Sequence, residues 1–411
     1  MTHSPTPLDQ LKRVCVVLTA GCNLDCSYCY QDRRPPGRMD WATLEAAVDL
    51  ALASDREEVE LTFAGGEPLL AFDLLVRAVE HLEGAPGGGR HVHPVLLTNG
   101  LLLTEEVASF AASHDIQIQL SFDGLAQDLR QAGTFPLLDH LLDSLRVEHP
   151  SLFADKLSIA ITVTPAALPS LAGSVRYFLD KRVQRIEMAP VVTHVPDYGD
   201  EHLGELERAF AEMVDMAIAH FQLTRENPVV MLRPGRPPSP TSRRPVCWVM
   251  QGQTVVVDVD GQVYGCAGFA ESYQSLSSRL LQSELAPLRM GSIHERGLPE
   301  RHAAFQERAR RSQLLIDKQD KRSARDRCVE CAHFASCSVC PLSTGHIPGN
   351  DDPDLVPSFQ CDFTRLALEA GQAFARTHRE ATNGLGLEGL IGRLHRGRAA
   401  LKRLEASLRR G

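Results

Sequence analysis

Short apolar runs recur along the first half of the chain at a spacing typical of β-strands. Most of them are rich in β-branched or other apolar residues and are bounded by polar or turn-forming residues. The predicted strands are residues 13–18, 59–63, 92–98, 116–122, 157–163 and 185–189.

Amphipathic stretches separate these strands and predict helices. Trp41, Leu44, Val48 and Leu52 recur at helical spacing behind Asp40, whose side chain suits an N-cap. Similar stretches lie near 70–83, 104–113, 136–147, 168–181 and 203–223. The alternation of helices with near-continuous apolar strands favours an α/β fold with a parallel sheet, either open or curved into a partial barrel. In both cases functional residues lie at the carboxyl ends of the strands.

The composition is that of a globular protein without a basic footprint. The 411 residues are 43% hydrophobic and 23% charged, and the formal net charge is −9. These values allow a full core and argue against nucleic acid as a partner. The N-terminus lacks an apolar stretch of signal-peptide length, and no later run approaches the length of a membrane span. We therefore expect a cytoplasmic protein that does not contact membranes.

The eleven cysteines fall into two groups. Three lie between residues 22 and 29, none between 30 and 246, and seven between 247 and 361. Because cytoplasmic thiols stay reduced, metal binding explains the two groups better than disulfides do. Cys15 stands outside both groups, inside an apolar strand, and is interpreted as a packing residue.

The first cysteine group directly follows the first predicted strand, in the segment AGCNLDCSYCY. Three and then two residues separate Cys22, Cys26 and Cys29. A loop this short can direct three thiolates at one iron–sulfur cubane and leave its fourth iron without a protein ligand. A substrate can bind that open iron and receive an electron through it. Zinc is the alternative, although a structural zinc site normally needs four ligands.

This loop resembles the signature of the radical S-adenosylmethionine (SAM) superfamily, Cys-x3-Cys-x-aromatic-Cys, with Tyr28 at the aromatic position. The second predicted strand ends in Gly65-Gly66-Glu67-Pro68, which is similar to the family's GGEP motif that contacts the methionine amino group. Glycine permits close approach of a ligand, and Glu67 supplies an anion for an ammonium group. The resemblance implies reductive cleavage of SAM to methionine and a 5′-deoxyadenosyl radical, which abstracts a hydrogen atom from the substrate.

Three further strands resemble SAM-binding elements of this family. The third strand ends in Thr98-Asn99-Gly100 and the fourth in Ser121-Phe122-Asp123-Gly124, which are similar to the TNG and S-x-DG strand ends. In the family, the Ser and Asp positions commonly hold the ribose, and the fifth strand packs against the adenine. The SAM contacts that the resemblance implies are Tyr28, Gly65, Gly66, Glu67, Pro68, Asn99, Ser121, Asp123 and Thr162.

The second cysteine group resembles the SPASM extension of this superfamily, which typically binds two auxiliary [4Fe–4S] clusters. The resemblance includes Gly261, five residues before Cys266. It implies three clusters in all, because the first cysteine group holds one and the second holds two. The implied auxiliary ligands are Cys328, Cys331, Cys337 and Cys361 for one cluster, and Cys247, Cys266 and Cys340 for the other.

Two features of the second group leave alternatives open. The paired Cys-x2-Cys spacings alone would suit a zinc knuckle equally well. Only two residues separate Cys337 from Cys340, where relatives usually have three. The cluster of Cys247, Cys266 and Cys340 has three cysteines, which implies an open iron unless another group substitutes.

The predicted organisation is a (β/α)6 partial, TIM-like barrel followed by a cysteine-rich domain. Residues 1–232 form the barrel, and the Pro- and Arg-rich segment 233–246 is an extended connector. Residues 247–363 form the SPASM domain with its auxiliary clusters. Residues 364–411 form a helical segment whose last part is strongly basic.

SPASM-bearing relatives mostly modify peptides and proteins. They crosslink ribosomally made precursor peptides through C–C or thioether bonds, or oxidise Cys or Ser to formylglycine in sulfatases. In the sulfatase-maturing relatives an Asp base follows the cysteine equivalent to Cys266, whereas Ala267 stands here. This difference favours a peptide-crosslinking maturase. An iron–sulfur electron-transfer scaffold and a zinc-bound interaction module are the alternatives from other classes, and neither explains the GGEP turn together with the three-cysteine loop.

The implied partners are a precursor peptide or protein substrate and reduced flavodoxin or ferredoxin as electron donor. A separate leader-peptide-binding protein is also expected, because few residues precede the first strand. Glu187, His194, Asp197 and Tyr198 end or follow the sixth strand, where they could face substrate. The sequence assigns no catalytic base.

Overall fold

The computed structural model describes most of the barrel and parts of the cysteine-rich region. The described residues are 7–29, 31, 37–85, 91–192, 195, 197–233, 252–273, 288–311, 320–325, 327–337, 340, 352 and 354–383. The predicted connector, apart from Arg233, and Cys247 lie outside them, as does the basic end of the chain.

The described residues contain one eight-stranded sheet, in the order β6-β5-β4-β3-β2-β1-β7-β8. The strands are β1 (Arg13–Thr19), β2 (Glu58–Gly65), β3 (His91–Thr98), β4 (Gln117–Ser121), β5 (Leu157–Val163), β6 (Ile186–Pro190), β7 (Thr254–Val257) and β8 (Val263–Tyr264). All neighbours from β6 to β7 are parallel, and β8 is antiparallel to β7. The predicted α/β class and its six barrel strands are confirmed, and the sheet has two strands more than predicted.

Helices connect the strands as the amphipathic pattern predicts. The α-helices are α1 (Trp41–Leu52), α2 (Phe72–Gly84), α3 (Glu105–Ser113), α4 (Gln127–Arg130), α5 (Phe135–Glu148), α6 (Leu168–Asp180), α7 (Asp200–Thr224), α8 (Leu298–Arg311) and α9 (Ser358–Asn383). The predicted N-cap is present, since the Asp40 carboxylate accepts a hydrogen bond of 2.8 Å from the Thr43 amide.

The two faces of the sheet differ in polarity, which the near-continuous apolar reading of the strands did not predict. In β5, Leu157, Ile159, Ile161 and Val163 are buried, whereas the alternate side chains are half-buried. Strand pairing places the more polar positions of neighbouring strands on one face, and these include Glu60, Gln119, Ser158 and Glu187. One face therefore packs under helices, and the other is a polar lining.

The cysteine-rich region is built onto the barrel. Strand β7 extends the sheet by pairing in parallel with β1, with Val257 opposite Val16. Helix α9 packs along α7 through edge-on aromatic pairs, among them Phe363 against Phe210. The predicted domain boundary therefore does not interrupt the sheet, and Cys361 lies in the first turn of a helix that contacts the barrel.

Candidate functional site

The first cysteine loop leaves β1 at the carboxyl edge of the sheet. Cys22 and Cys29 are exposed, and Cys26 is half-buried. Burial raises the pKa of Cys26 to about 11, the Arg130 guanidinium opposes the rise, and the neighbouring Cys29 and Cys22 thiols add to it. The three thiols thus lie on one loop and interact electrostatically. Among the described residues, no three His, Cys, Asp or Glu side chains are grouped as a single metal ion would require.

The glycine turn after β2 packs directly on this loop. The Gly66 amide donates to the Thr19 carbonyl, and the Glu67 amide donates to the Gly21 carbonyl, both at 2.8 Å. A Cβ on Gly66 would lie 2.2 Å from the Gly21 oxygen, and one on Gly65 would lie 2.5 Å from the Thr19 oxygen. Glycine is therefore required at both positions, because backbone occupies the space of a side chain.

Glu67 joins the ends of β2 and β3. Its carboxylate is fully buried and accepts hydrogen bonds from the Leu69 amide at 3.0 Å, the Thr98 hydroxyl at 2.8 Å and the Asn99 amide at 2.8 Å. Burial raises the pKa of this carboxyl, and the three hydrogen bonds oppose the rise. The sequence suggested that Glu67 offers an anion to a ligand, whereas in the structure its carboxylate holds the turn together.

The end of β3 reaches back to the cysteine loop. The Asn99 side-chain amide nitrogen donates to the Asn23 side-chain oxygen at 2.7 Å and lies 3.9 Å from the Cys22 sulfur. Its own side-chain oxygen accepts from the Leu101 amide at 3.0 Å. Asn99, which the family resemblance marks as a SAM contact, therefore also orients the loop.

A buried ion pair fixes the other side of the loop. Asp123 and Arg130 form two hydrogen bonds, from Arg130 Nε at 3.0 Å and from Nη2 at 2.8 Å, and both side chains are at least nine-tenths buried. The Tyr28 hydroxyl donates to the same carboxylate, and the Thr162 amide donates to it at 2.9 Å. The Arg130 guanidinium also lies 5.5 Å from the centre of the Tyr28 ring. Asp123 thus connects the cysteine loop to the ends of β4 and β5.

Other expected SAM contacts lie around these networks. Ser121 ends β4 and is half-buried, with Ala160 of β5 as its pairing partner. Thr162 is half-buried on β5, and Pro68 is buried at the start of a short 3₁₀ helix. The sequence did not predict a role for Arg130, because the contact with Asp123 depends on how α4 folds back beside β4. No motif marks that contact.

Part of the second cysteine group also comes together. Burial raises the pKa of Cys361 to about 11, a hydrogen bond from Ser323 opposes the rise, and the nearby Cys337 and Cys328 thiols add to it. The Cys331 sulfur lies 3.4 Å from the His333 amide, and the Cys337 amide donates to the His333 carbonyl. Cys328 and Cys337 of this loop therefore lie near Cys361.

The remaining cysteines have separate positions. Cys266 is half-buried just after β8, Cys340 is exposed, and Cys247 lies outside the described residues. Cys15 is buried in the core, as predicted, and burial raises the pKa of its thiol to about 12.

The polar residues near the end of β6 differ in their surroundings. Glu187 accepts from Arg185 Nε at 2.6 Å and from Gln119 Nε2 at 3.2 Å. Tyr198 donates to Asp362 at 3.1 Å, Asp197 is exposed, and His194 lies outside the described residues. Glu187 therefore belongs to the polar lining of the sheet, whereas Tyr198 contacts the cysteine-rich region.

Residues 16–148 match the protein family described as the radical SAM superfamily, so the chain contains a radical SAM domain. Among curated relatives, the mycofactocin maturase MftC of Mycobacterium tuberculosis is 28% identical over 179 residues, covering 39% of this chain and 42% of the relative. The cysteine-type anaerobic sulfatase-maturating enzyme of Clostridium perfringens is 30% identical over 114 residues, covering 26% and 31%. A probable GTP 3′,8-cyclase of Methanopyrus kandleri is 24% identical over 207 residues, covering 49% and 64%. Each match covers less than two thirds of the relative's own length.

Solved structures share the fold over most of this chain. The structure of anSMEcpe with bound AdoMet and Kp18Cys peptide has a TM-score of 0.67 at 18% identity, and the likeness covers 90% of this chain and 99% of that one. SuiB of Streptococcus suis, bound to the precursor peptide SuiA, has a TM-score of 0.53 at 15% identity, covering 86% and 76%. These likenesses show that the chain shares its fold with both proteins.

The helices that the structure describes include none with the length and apolar character needed to cross a membrane.

Replacing Gly66 with alanine should separate the cysteine loop from the glycine turn. The new Cβ would lie 2.2 Å from the Gly21 oxygen, so we expect a loss of about 1–3 kcal/mol in unfolding free energy and reduced iron binding after anaerobic reconstitution. Gly84→Ala is the matched control, because no atom lies within 4 Å of its Cβ position. Equal iron content and stability in the two variants would contradict the required close approach.

Arg130→Gln should leave the Asp123 carboxylate buried without a cation. We expect a loss of about 3–5 kcal/mol in unfolding free energy, measured by denaturant titration. Arg146→Gln removes an exposed partner of Asp143 and should cost less than about 1 kcal/mol. The double variant Asp123→Asn/Arg130→Gln removes both charges, keeps an oxygen at position 123 that can accept from Tyr28 and Thr162, and should recover part of the loss. A small effect of Arg130→Gln would mean that the ion pair does not hold this side of the loop.

Proposed function

We propose that this chain, which carries a radical SAM domain, uses SAM and three iron–sulfur clusters to modify a peptide, and that the modification is a crosslink within a ribosomally made precursor. The observation that carries the radical chemistry is the set of three neighbouring thiols on a loop bonded to the glycine turn. The radical SAM match over residues 16–148 supports the same conclusion.

Cys22, Cys26 and Cys29 are the proposed ligands of the first cluster. Two of these thiols are exposed, and the loop that carries them is held against the glycine turn by backbone contacts, which suits thiols that bind a cluster at the surface of the loop. When bound, the cluster and SAM supply reductive cleavage of the cofactor and abstraction of a hydrogen atom from the substrate. Metal ligation requires thiolates, so binding must displace protons that burial holds on Cys22 and Cys26.

The protein residues around the loop position these groups. Glu67 and Asn99 hold the glycine turn and the loop in one arrangement, and Asp123 anchors Tyr28 on the opposite side. Such preorganisation lowers the entropy cost of bringing SAM and substrate together.

The auxiliary ligands are proposed on the second cysteine group. Cys361 interacts with Cys337 and Cys328 across the contact between α9 and the 328–337 loop, which supports one cluster at this place. The ligands proposed for the other auxiliary cluster, on the basis of the family resemblance alone, are Cys247, Cys266 and Cys340. These clusters would take up an electron from the oxidised substrate or bind the substrate at an open iron.

A peptide substrate is supported by the relatives and by the cysteine-rich region. SuiB and anSMEcpe are structures with bound peptides, and the mycofactocin and sulfatase matches are named as maturating enzymes. The match to a probable GTP 3′,8-cyclase supports radical SAM chemistry in the barrel, but it does not favour a peptide as the substrate. Formylglycine formation is the second candidate, because of the sulfatase-maturating relative, and Ala267 in the place of the expected Asp favours crosslinking instead.

The proposed partners are reduced flavodoxin or ferredoxin as electron donor and a separate protein that binds the leader of the precursor peptide. Reductive cleavage needs an external electron, which such a donor would supply to the first cluster.

Anaerobically reconstituted protein should bind about twelve iron atoms per chain and release 5′-deoxyadenosine from SAM when it is reduced. Cys22→Ala should abolish 5′-deoxyadenosine release and lower the iron content by about one cluster. Cys337→Ala should also lower the iron content by about one cluster. The change that SAM produces in the spectrum of the first cluster should be the same as in the wild type. Cys15→Ala is the control, since this thiol packs in the core. Bound zinc would support the zinc-bound interaction module, and bound iron without release of 5′-deoxyadenosine would support the electron-transfer scaffold. Either result would contradict the proposed enzyme.

The substrate class can be tested with two kinds of peptide. One kind comes from short reading frames that neighbour this protein's gene, and the other comes from the modified segment of a sulfatase. A crosslink removes two hydrogen atoms from the first kind, whereas formylglycine formation from Cys replaces sulfur by oxygen and removes two hydrogens. Because Ser oxidation also removes two hydrogens, a hydrazide reagent should be used to detect the aldehyde. Aldehyde in the sulfatase peptide alone would contradict the proposed crosslinking.

A further inference from the structure

The cysteine-rich region contributes a strand end to the edge of the sheet where the first cysteine loop lies. Strand β7 runs parallel to β1, with Val257 opposite Val16. The next residue along the chain, Asp258, therefore lies near the end of β1 from which the cysteine loop departs. The carboxyl ends of neighbouring parallel strands meet at one edge, so this placement follows from the pairing.

Asp258 fixes the segment that follows Cys266. Its carboxylate is 2% exposed, and it accepts hydrogen bonds from the Ser272 hydroxyl at 2.5 Å and the Ser272 amide at 3.1 Å. The Val259 amide donates to the same group at 2.8 Å. Ser272 is thereby held at the end of β7, and the orientation of the next residue, Tyr273, is constrained.

Tyr273 lies against the glycine turn. Its hydroxyl oxygen is 3.5 Å from the Gly65 carbonyl oxygen, and its side chain is 7% exposed. The Gln31 amide nitrogen lies 2.6 Å from the same carbonyl oxygen. The Gly65 carbonyl oxygen thus already accepts one nitrogen donor, from Gln31, and its second lone pair is the one that a ligand would share with Tyr273.

The spacing of the two oxygens suits a single ammonium group. A nitrogen placed about 2.9 Å from each of two oxygens is at normal hydrogen-bond distance from both, and such a position exists when the oxygens are 3.5 Å apart. An ammonium has three donors and no acceptor, so it can donate to the Gly65 carbonyl and to the phenol oxygen together. The 3.5 Å contact is long for a bond between the two protein groups, so a ligand cation would compete with it easily.

We infer that Tyr273 belongs to the binding site for the amino-acid end of SAM, where its hydroxyl oxygen and the Gly65 carbonyl oxygen together receive the ligand ammonium. This inference rests on the proposed function, which makes SAM the ligand of the glycine turn. It assigns the cysteine-rich region a direct contact with SAM, and it makes Asp258 and Ser272 the residues that position this contact.

The test is binding of three ligands to the full, anaerobically reconstituted chain. SAM and S-adenosylhomocysteine carry the ammonium, and 5′-methylthioadenosine lacks it. Tyr273→Phe should weaken the first two by about ten-fold, as expected for one hydrogen bond to a charged group. Binding of 5′-methylthioadenosine should stay unchanged, because it makes no ammonium contact. Ser272→Ala should show the same selectivity with a smaller effect. It removes the hydrogen bond from the Ser272 hydroxyl to Asp258, which positions Tyr273, and it keeps the Tyr273 hydroxyl itself.

Tyr177→Phe is the matched control. Its hydroxyl donates to Asp139 between α5 and α6 at 2.6 Å, away from the glycine turn, so all three affinities should equal those of the wild type. Iron content is measured for every variant, so that loss of the first cluster is recognised separately.

Two results would overturn the inference while the proposed function stands. One is equal SAM affinity of Tyr273→Phe and wild-type protein. The other is an equal loss for all three ligands at normal iron content, which would make Tyr273 a structural residue only. A wild-type chain that binds its iron and none of the three ligands would overturn the proposed function and this inference with it.

Discussion

The arrangement of the site depends on the contact between two backbone segments that leave no room for side chains. The amides of Gly66 and Glu67 donate to carbonyls at the start of the cysteine loop, and a Cβ on Gly66 would overlap the Gly21 oxygen. Because hydrogen-bonded backbone is stiff, the loop and the glycine turn behave as one unit. The buried Glu67 carboxylate extends this unit to β3, and Asn99 returns it to the loop through Asn23.

Charge, rather than close packing, fixes the opposite side of the loop. Arg130 and Asp123 are both buried, and removing either would leave the other charged group without compensation. The guanidinium also favours negative charge at Cys26, because it opposes the rise of that thiol's pKa. Thiolate ligation of an iron–sulfur cluster places negative charge at this position. Arg130 therefore favours the charge that the proposed cluster would bring, the Asp123 carboxylate opposes it, and the pair together holds Tyr28 in place.

The sequence predicts what local pattern determines and misses what distant segments determine. The apolar run of β5 marks that strand at its observed bounds, and the Asp40 N-cap is visible from its neighbours. Strand β7 was missed because four residues, TVVV, do not reveal that β1 is their partner. The contact of Tyr273 with Gly65 joins positions 208 residues apart, and no local spacing encodes such a contact. The burial of Glu67 likewise depends on β3, so its motif alone indicated a ligand contact.

The connection of β7 to the barrel bears on what decides the reaction. Cys266 and Tyr273 are linked by two short 3₁₀ turns, and Asp258 holds the second turn at the edge of the sheet. A displacement at the proposed Cys266 cluster would therefore reach the glycine turn through a short, hydrogen-bonded segment. Ala267 begins this segment and carries no base. Ala267, the position at which the proposed crosslinking chemistry would depart from formylglycine formation, therefore lies on the same piece of the cysteine-rich region as Tyr273, which contacts the Gly65 carbonyl.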